Sequence, residues 1–352
     1  MAHGSLIESQ PEQAQKQARN RAAIWTLMVL APVIAEVLSG STRLSVLFVL
    51  LPEIMVWGVG ALLARELVRR WRGGMPSLLM LGLALSIAEE FIVQQTSLAP
   101  LPFPGVNADY GRFAGVNWVY LLFMLGFESV WVVLVPVQVT ELIFQDRRDR
   151  PWLRTRGIIA CSLVFLVGCR MAWYGWTQQA RPRMNMPPYN PPRLAMLLGL
   201  AAIGILIGLG YMFRGCGHAA SNGSIRPASP WIGGIAAFLL GFVWWVPMML
   251  IFNPKPFTRA PIAMASSLAG GLAAFLFFAR LSRNSGWSDT HRWAVSFGAT
   301  MACMAPSYIS TAGWTRPDLV FKIIINLLAV VGLLLLARRV QMRREPRDHG
   351  ER

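Results

Sequence analysis

The chain alternates between long apolar runs and short polar segments rich in arginine. A helix needs about 20 mostly apolar residues to cross the ~30 Å hydrocarbon core of a bilayer, and most of these runs reach that length. The short alternating strands that a membrane barrel needs are not visible. We therefore predict an all-α, polytopic transmembrane helix bundle of about ten spans. The predicted spans are 23–39, 45–67, 76–95, 117–144, 157–177, 194–213, 230–252, 260–280, 292–312 and 318–338.

The ninth run differs from the others, because Pro306 interrupts it and several serines and threonines lie within it. Proline removes a backbone donor and breaks a helix interior. Whether residues 292–312 form a full span is therefore left open.

The polar segments divide the chain into four parts. Residues 1–22 are predicted to be a disordered cytoplasmic tail, and residues 339–352 a basic cytoplasmic tail. Between them, 23–156 holds four spans and 157–338 holds six. All glutamates within the spans fall in the first four. We therefore expect 23–156 to carry the functional site and 157–338 to act as a membrane scaffold.

The distribution of basic residues predicts the orientation in the membrane. Segments on the side of the two termini hold 22 basic residues, whereas the opposite loops hold 8. Because cytoplasmic loops are enriched in Lys and Arg, both termini are predicted to be cytoplasmic. The formal charge of +16 does not indicate a nucleic-acid partner, since the basic residues lie between apolar runs and not on one soluble face.

The most unusual stretch is 86–95, where Glu89 and Glu90 lie inside an apolar run. Ionisable groups at bilayer depth are costly and suggest a functional site. On an α-helix, Ser86, Glu90 and Gln94 follow one another at four-residue steps, with Glu89 beside them. The sequence thus predicts a polar stripe on one helix face.

Three more glutamates reach a similar depth. A rise of ~1.5 Å per residue places Glu36, Glu53 and Glu128 at nearly the same level as the Glu89/Glu90 pair. We predict that Glu89, Glu90 and at least one of Glu36, Glu53 and Glu128 converge in one cavity, which opens outward beneath two proline-rich loops, 96–116 and 178–193. Many carboxylates in a low dielectric cannot all be ionised, so some must be protonated.

Arg170 is the only arginine deep in a predicted span. An unpaired guanidinium there would be costly, so we predict a bidentate pair with one carboxylate of the cluster. Such a pair could organise a working site, or it could simply hold helices together. Lys322 is the second base predicted at this level.

Glu66 and Glu141 lie at span ends, where we expect interfacial salt bridges. Glu66 is expected to pair with the arginines three and four residues later.

Metal binding has little support in the sequence. The four cysteines form no CxxC pair. Cys216 and His218 supply only two ligands on a Gly/Ser-rich loop, fewer than a zinc site requires. No metal site is predicted and no cofactor is indicated. His291 is expected to be a solvated residue at the membrane interface, far from the carboxylates.

Several stretches together resemble an uncharacterised family of bacterial multi-pass membrane proteins. They are Pro32–Thr42, Arg65–Arg70, Glu89–Glu90, Gly115–Trp118 and Pro136–Glu141. The resemblance covers about residues 31–152 and implies a location in the bacterial cytoplasmic membrane. It brings no established activity with it.

The paired glutamates are also similar to the first motif of the CAAX-type intramembrane endopeptidases and their bacteriocin-immunity relatives. That family has Glu-Glu-x-x-x-Arg, then Phe-x-x-x-His, then a later His motif. Here Gln94 stands in place of the Arg, residues 123–128 contain no histidine, and His291 lacks its partner residue. The resemblance implies a glutamate that activates water while His and Asn stabilise the oxyanion.

Three functions remain open from the sequence. The first is an outward-facing acidic pocket that binds a small molecule or cation, or handles lipid, without turnover. The second is a proton- or cation-coupled carrier. The third is a hydrolase that uses Glu89 and Glu90 as catalytic residues. The predicted binding residues are Glu36, Glu53, Glu128, Arg170 and Gln94. Apart from the lipid bilayer no macromolecular partner is predicted, and the oligomeric state is left open.

Overall fold

The structure is a computed structural model, which describes residues 9–101, 106–107, 109–215, 229–282, 286–309 and 313–343. In this part of the chain almost all regular structure is helical, and a two-stranded pair is the sole sheet. The all-α helix bundle is thus confirmed. The strands β1 (Arg112–Phe113) and β2 (Val116–Asn117) run antiparallel in the loop after the third span.

Ten helical segments follow one another along the described chain, and we number them α1 to α10. Several contain a π-helical stretch or continue directly into one, and that stretch is given in parentheses and counted with the helix. They are α1 Ser9–Pro32 (π Val33–Val37), α2 Leu44–Arg70 (π Ile54–Gly58), α3 Met75–Ala88 (π Glu89–Val93), α4 Trp118–Ile143 (π Glu128–Leu134), α5 Thr155–Arg183 (π Tyr174–Ala180), α6 Arg193–Met212, α7 Pro230–Ile251, α8 Ala260–Ser282, α9 Asp289–Met304 and α10 Arg316–Met342.

Nine of the described helices are long and apolar enough to cross a membrane, and they coincide with nine of the predicted spans. The exception is α9, which has 16 residues and ends before Pro306. It is packed between other helices, with His291, Ser296 and Thr300 buried. These three polar residues therefore face protein and not lipid.

Although short, α9 crosses the bundle from one face to the other. At its start, Asp289 accepts a hydrogen bond from Arg148 at 2.7 Å. Beyond its end the chain meets the α1–α2 turn, where Ser45 N–H donates to Asp318 at 2.9 Å. The first contact lies just after the end of α4 and the second at the start of α2, so the ten described helices each cross the bundle.

Both described ends consequently lie on the same face. Arg19 pairs with Asp146 at 2.9 Å, and Arg343 donates to the carbonyl of Leu142 at 3.5 Å. We call this side, formed by the α2–α3 and α4–α5 loops, the arginine-rich face. The opposite side, formed by the α3–α4 and α5–α6 loops, is the proline-rich face.

Helices α1 to α4 form the centre of the bundle, and α5, α6 and α8 lie outside it with most of their apolar side chains exposed. Such side chains face lipid in a membrane-spanning chain. Close approach of α1 and α2 requires Gly58, because a Cβ there would collide with the backbone of Met28.

Arg65 on α2 organises the arginine-rich face. Its guanidinium is fully buried, and its five N–H groups reach five acceptors. These are a Glu141 oxygen at 3.0 Å, a Glu66 oxygen at 3.0 Å, and the carbonyls of Arg147, Arg148 and Arg150 at 3.1, 2.8 and 3.2 Å. The guanidinium also stacks on Trp152, 3.3 Å from the ring centroid. One side chain thus fastens α2 to α4 and to the loop after it.

The predicted role of Glu66 and Glu141 in salt bridges is correct, but the predicted partners of Glu66 are wrong. Glu66 pairs with Arg65 and accepts the backbone N–H groups of Trp152 and Leu153 at 2.8 and 3.0 Å. Arg69 pairs instead with Glu141 at 2.7 Å. The α4–α5 loop folds back over α2, which helical spacing alone could not indicate.

Replacing Arg65 by Leu is expected to lower the free energy of unfolding by about 3–5 kcal/mol, because Glu66 and Glu141 would remain buried without their partner. Unfolding in mixed detergent micelles measures this change. The matched control is Arg70→Leu, which removes one exposed hydrogen bond to Leu153 and should cost less than about 1 kcal/mol. Equal stability of the two variants would contradict the organising role of Arg65.

The orientation prediction can be tested with single cysteines in a background in which all four native cysteines (Cys161, Cys169, Cys216 and Cys303) are replaced by Ser or Ala. Asp149 lies exposed on the arginine-rich face, and Lys255 lies exposed in the α7–α8 loop on the other side. With both termini cytoplasmic, an impermeant maleimide should label Lys255→Cys in intact bacteria and Asp149→Cys only after permeabilisation. The reverse pattern would invert the topology.

Candidate functional site

The five intramembrane glutamates all lie at π-helical turns. Glu36 is inside the π turn of α1, Glu89 and Glu90 open the π turn of α3, and Glu128 opens that of α4. Glu53 immediately precedes the π turn of α2. A π turn inserts one extra residue into a helix and occurs frequently at functional sites. Four neighbouring helices thus share the same local irregularity at the same level.

The π turn of α3 changes the stripe predicted from α-helical spacing. The N–H of Gln94 bonds to the carbonyl of Glu89 at 2.9 Å, five residues back instead of four. Gln94 is half-buried, and in the described residues its side chain makes no hydrogen bond to a carboxylate. The predicted alignment of Gln94 with Glu90 is therefore wrong, since the extra residue rotates the helix end.

The structure brings the five carboxylates together, and we call them the carboxylate cluster (Glu36, Glu53, Glu89, Glu90 and Glu128). Glu89 interacts electrostatically with Glu90, Glu36 and Glu53. Glu128 interacts with Glu90, Glu89 and Glu36. The π turns of α1 and α2 both pack on that of α4, and α3 packs on the same turn, which explains how four helices present their carboxylates to one another.

Two members of the cluster make no hydrogen bond of normal geometry within the described residues. Glu89 is 2% exposed and Glu128 is 1% exposed. Neither oxygen of either carboxyl group accepts a hydrogen bond from the described residues. Ser86 lies beside Glu128, but its hydroxyl is also without a hydrogen bond of normal geometry. Buried polar groups of this kind are rare in native proteins and call for an explanation.

The other three carboxylates contact hydroxyl groups. Glu90, which is fully buried, accepts from Thr96 at 2.8 Å and from Ser97 at 2.6 Å. Glu53 accepts from Thr42 at 2.5 Å, while its second oxygen has no partner. Glu36 is half-buried with Ser41 beside it. Sequence analysis missed these hydroxyl residues, although they stand just beyond the apolar runs that carry the glutamates.

The predicted ion pair of Arg170 is wrong. Arg170 is exposed on the outer surface of α5 and stacks on Trp173 and Tyr174, 4.5 and 5.3 Å from their ring centroids. Its long side chain extends towards the proline-rich face, as interfacial arginines do. The position of Arg170 along α5 agrees with its predicted depth, but the face of α5 that carries Arg170 points away from the cluster.

Lys322 also makes no ion pair with the cluster in the described residues. It is buried, and its ammonium group donates to the carbonyl of Leu38 and lies 5.3 Å from the Tyr308 ring centroid. The carboxylates therefore have no cationic side chain to balance them within the described structure. Ionisation of all five together would be prohibitively costly in this environment.

The cluster has one polar side and one apolar side. Its hydroxyl partners come from the α1–α2 turn and the α3–α4 loop, both at the proline-rich face. Towards the arginine-rich face, α2 continues with buried Val59 and Leu62, and α4 continues with buried Val132 and Val133. Any path for water or ions to the cluster therefore begins most easily at the proline-rich face.

The loops of that face cover the cluster instead of leaving it in an open pocket. Arg181 donates to the carbonyl of Pro100 at 2.8 Å, which ties the end of α5 to the α3–α4 loop. Arg112 donates to the carbonyls of Leu98 and Ala99 at 2.9 and 3.1 Å. These contacts hold the loop that positions Thr96 and Ser97 against Glu90.

A preformed metal site and a histidine-assisted site are not visible in the described residues. No group of three potential ligands there has a geometry suited to a metal ion, and Cys216 and His218 lie outside the described residues. His291, expected to be solvated, is buried and caps the start of α9, where its Nδ1 lies 2.8 Å from the Ser288 hydroxyl. It lies at the arginine-rich face, away from the cluster.

Residues 25–180 match the model of an uncharacterized membrane protein family. The matched stretch contains all five carboxylates, Arg65 and the loops of both faces that contact them. This confirms the predicted resemblance to an uncharacterised multi-pass membrane protein family, whereas similarity to the CAAX-type endopeptidases gains no support from it. Comparisons with curated proteins and with solved structures gave no match.

Glu89 and Glu128 are expected to be protonated at neutral pH, because they are buried beside other carboxylates and lack donors. Infrared spectra of the purified protein should show protonated carboxyl stretching that decreases in Glu89→Gln and in Glu128→Gln. Both variants should keep wild-type stability within about 1 kcal/mol, since glutamine is a neutral group of similar size. The control is Glu90→Gln, which should retain the signal. A spectrum without protonated carboxyl groups would contradict this assignment.

Proposed function

We propose that this membrane protein binds protons at its carboxylate cluster and exchanges them for a small cationic ligand. The observation that carries the proposal is the burial of Glu89 and Glu128 with all four carboxyl oxygens unpartnered in the described residues. Two states satisfy such groups: protons on the carboxyls, or a cation between them. Anionic ligands are disfavoured, because the cluster offers acceptors and no cationic side chain.

The five carboxylates divide into two roles under this proposal. Glu90 is best suited to remain ionised, because two hydroxyl groups donate to it and such hydrogen bonds favour the charged form. Glu89 and Glu128 are best suited to hold exchangeable protons. Replacing one proton by one monovalent cation keeps the net charge of the cluster constant, so the buried site pays no additional charge penalty.

The one-sided polarity of the cluster supports binding from the proline-rich face. With both termini cytoplasmic, that face is extracytoplasmic in a bacterial membrane. Transport would also require an opening through the buried valines and leucine of α2 and α4. Binding without translocation is therefore the simpler proposal, with 23–156 as the binding unit and 157–338 as its frame.

A hydrolase is less well supported. A glutamate can activate water, but the anionic intermediate then needs hydrogen-bond donors close to the developing charge. In the described residues, the hydroxyls of Thr42, Thr96 and Ser97 already bond to Glu53 and Glu90. Other hydroxyls near the cluster, such as those of Ser86 and Tyr120, lack the histidine that the peptidase motif supplies. Gln94, which stands in place of the arginine of the peptidase motif, makes no hydrogen bond to a carboxylate of the cluster in the described residues.

Proton release on cation binding tests the proposal directly. Purified protein in weakly buffered detergent solution would receive sodium, potassium or guanidinium chloride while a pH indicator follows free protons. One of these cations should release about one proton per chain, in keeping with replacement of one charge by another. Release should disappear in the Glu89→Gln/Glu128→Gln double variant, whose neutral amides cannot exchange a proton.

The matched control is Asp149→Asn, which removes an exposed carboxylate on the arginine-rich face and should leave proton release unchanged. Thermal melting of each variant checks that the fold is retained. Equal release from wild type and the double variant, or no release with any of the three cations, would overturn the proposal. Uptake of the active cation into proteoliposomes would extend it to a carrier.

A further inference from the structure

A second candidate site lies away from the carboxylates, on the outer side of α7, α9 and α10. These helices enclose a groove of about 540 Å³. Its walls are almost wholly apolar and include Phe238, Phe297, Met301 and Leu327. Ligand sites typically have volumes of ~300–1,000 Å³, apolar walls and a few well-placed polar groups. The groove matches the first two of these properties.

Two polar side chains supply the third property of a ligand site, its few well-placed polar groups. Asn326 on α10 is 6% exposed and lines the groove together with Tyr308, which follows α9. The Asn326 amide Nδ2 donates to the Tyr308 hydroxyl at 3.1 Å. The Asn326 Oδ1 atom is buried and receives no hydrogen bond from the described residues.

The pairing of these two groups defines what they can bind. Because the Tyr308 oxygen already accepts the amide hydrogen, its own O–H remains able to donate. Asn326 Oδ1 requires a donor. A ligand group that both donates and accepts, such as a hydroxyl or a protonated carboxyl, satisfies both atoms at once. An ester oxygen of an ordinary phospholipid cannot, since it has no hydrogen to donate.

The direction of the groove indicates how such a ligand lies. Tyr308 is next to the proline-rich face, and the groove continues along α7 and α9 towards Trp231 at the start of α7. Asn326 and Tyr308 therefore lie towards one end of the apolar groove, which runs along the helices across the membrane. This arrangement suits a polar end group followed by a hydrocarbon chain.

We propose that this groove binds a single-chain amphiphile whose hydroxyl or carboxyl end group contacts Asn326 and Tyr308. The chain packs against the apolar walls contributed by α7, α9 and α10. Bulk lipid would occupy the walls equally well but would leave Asn326 Oδ1 without a donor. The proposal is independent of cation exchange at the carboxylate cluster, because the two sites use different residues.

Photoaffinity labelling tests the proposal with two probes, a palmitic acid and a hexadecanol that each carry a diazirine on the chain. The purified full-length protein would be irradiated with each probe and the labelled peptides mapped by mass spectrometry. Label is expected on α9 and α10 near Met301 and Leu327, and excess unlabelled parent compound should displace it. The two probes distinguish a fatty acid from a fatty alcohol as the end group recognised.

Two variants separate specific recognition from simple contact with lipid. Asn326→Leu removes the unpaired acceptor and should lower groove labelling about five- to tenfold, the effect of losing one buried hydrogen bond. Ala305→Phe should block labelling by filling the groove. The control is Ala273→Phe, which adds the same bulk at an exposed position on α8 and should have no effect. Melting temperatures confirm that each variant is folded.

Three outcomes would overturn the proposal. Labelling spread evenly over α5, α6 and α8 and unchanged by Asn326→Leu would mean ordinary annular lipid. Crosslinks between two copies of the chain at the groove would mean that another subunit occupies it. Absence of label from both probes in the groove would mean that neither end group is recognised.

Discussion

The fully satisfied guanidinium of Arg65 is the interaction on which the rest of the bundle depends. It fixes α2 beside α4 by pairing with Glu141. The two helices run in the same direction, and Glu53 and Glu128 lie 12 and 13 residues before the members of that pair. Roughly equal rise along both helices then brings these two glutamates to one level. The ionic network at the arginine-rich face thereby sets how far below the proline-rich face these two glutamates lie.

The bundle separates its glutamates into two electrostatic environments. At the arginine-rich face, Glu66 and Glu141 have guanidinium partners, and Glu66 also accepts backbone N–H groups, so both hold the helices and loops together. In the cluster, Glu89 and Glu128 have neither within the described residues. Low dielectric makes this difference large, because an uncompensated buried charge costs far more than a paired one. The same residue type is therefore paired with guanidinium groups at one level and left without such partners at the other.

The π turns determine how the backbone orients these glutamate side chains. Each adds one residue to its helix and turns the following side chains by a fraction of a turn. In α3 this separates Gln94 from Glu90, and in α4 it begins at Glu128 itself. Four such turns meeting at one level explain how carboxylates on four helices can face one another, while the helix ends beyond them bring hydroxyl groups to three of the five. The arrangement of the cluster therefore depends on the π turns as well as on the positions of the glutamates in the sequence.

The sequence by itself determined the membrane-spanning helices, their approximate bounds and the shared depth of the glutamates, because apolar run length and residue counting along a helix are local properties. It could not determine which way a side chain at that depth faces. Arg170 was read at the right depth but lies on the outer surface of α5, and α9 proved to be a short buried helix although its pattern resembled a broken span. The partners of Glu66, the rotation at Gln94 and the groove beside Asn326 each depend on contacts between segments far apart in the chain. Only the packing of helices against one another decides such contacts, since the energy of a buried polar group is set by what surrounds it and not by its neighbours in sequence.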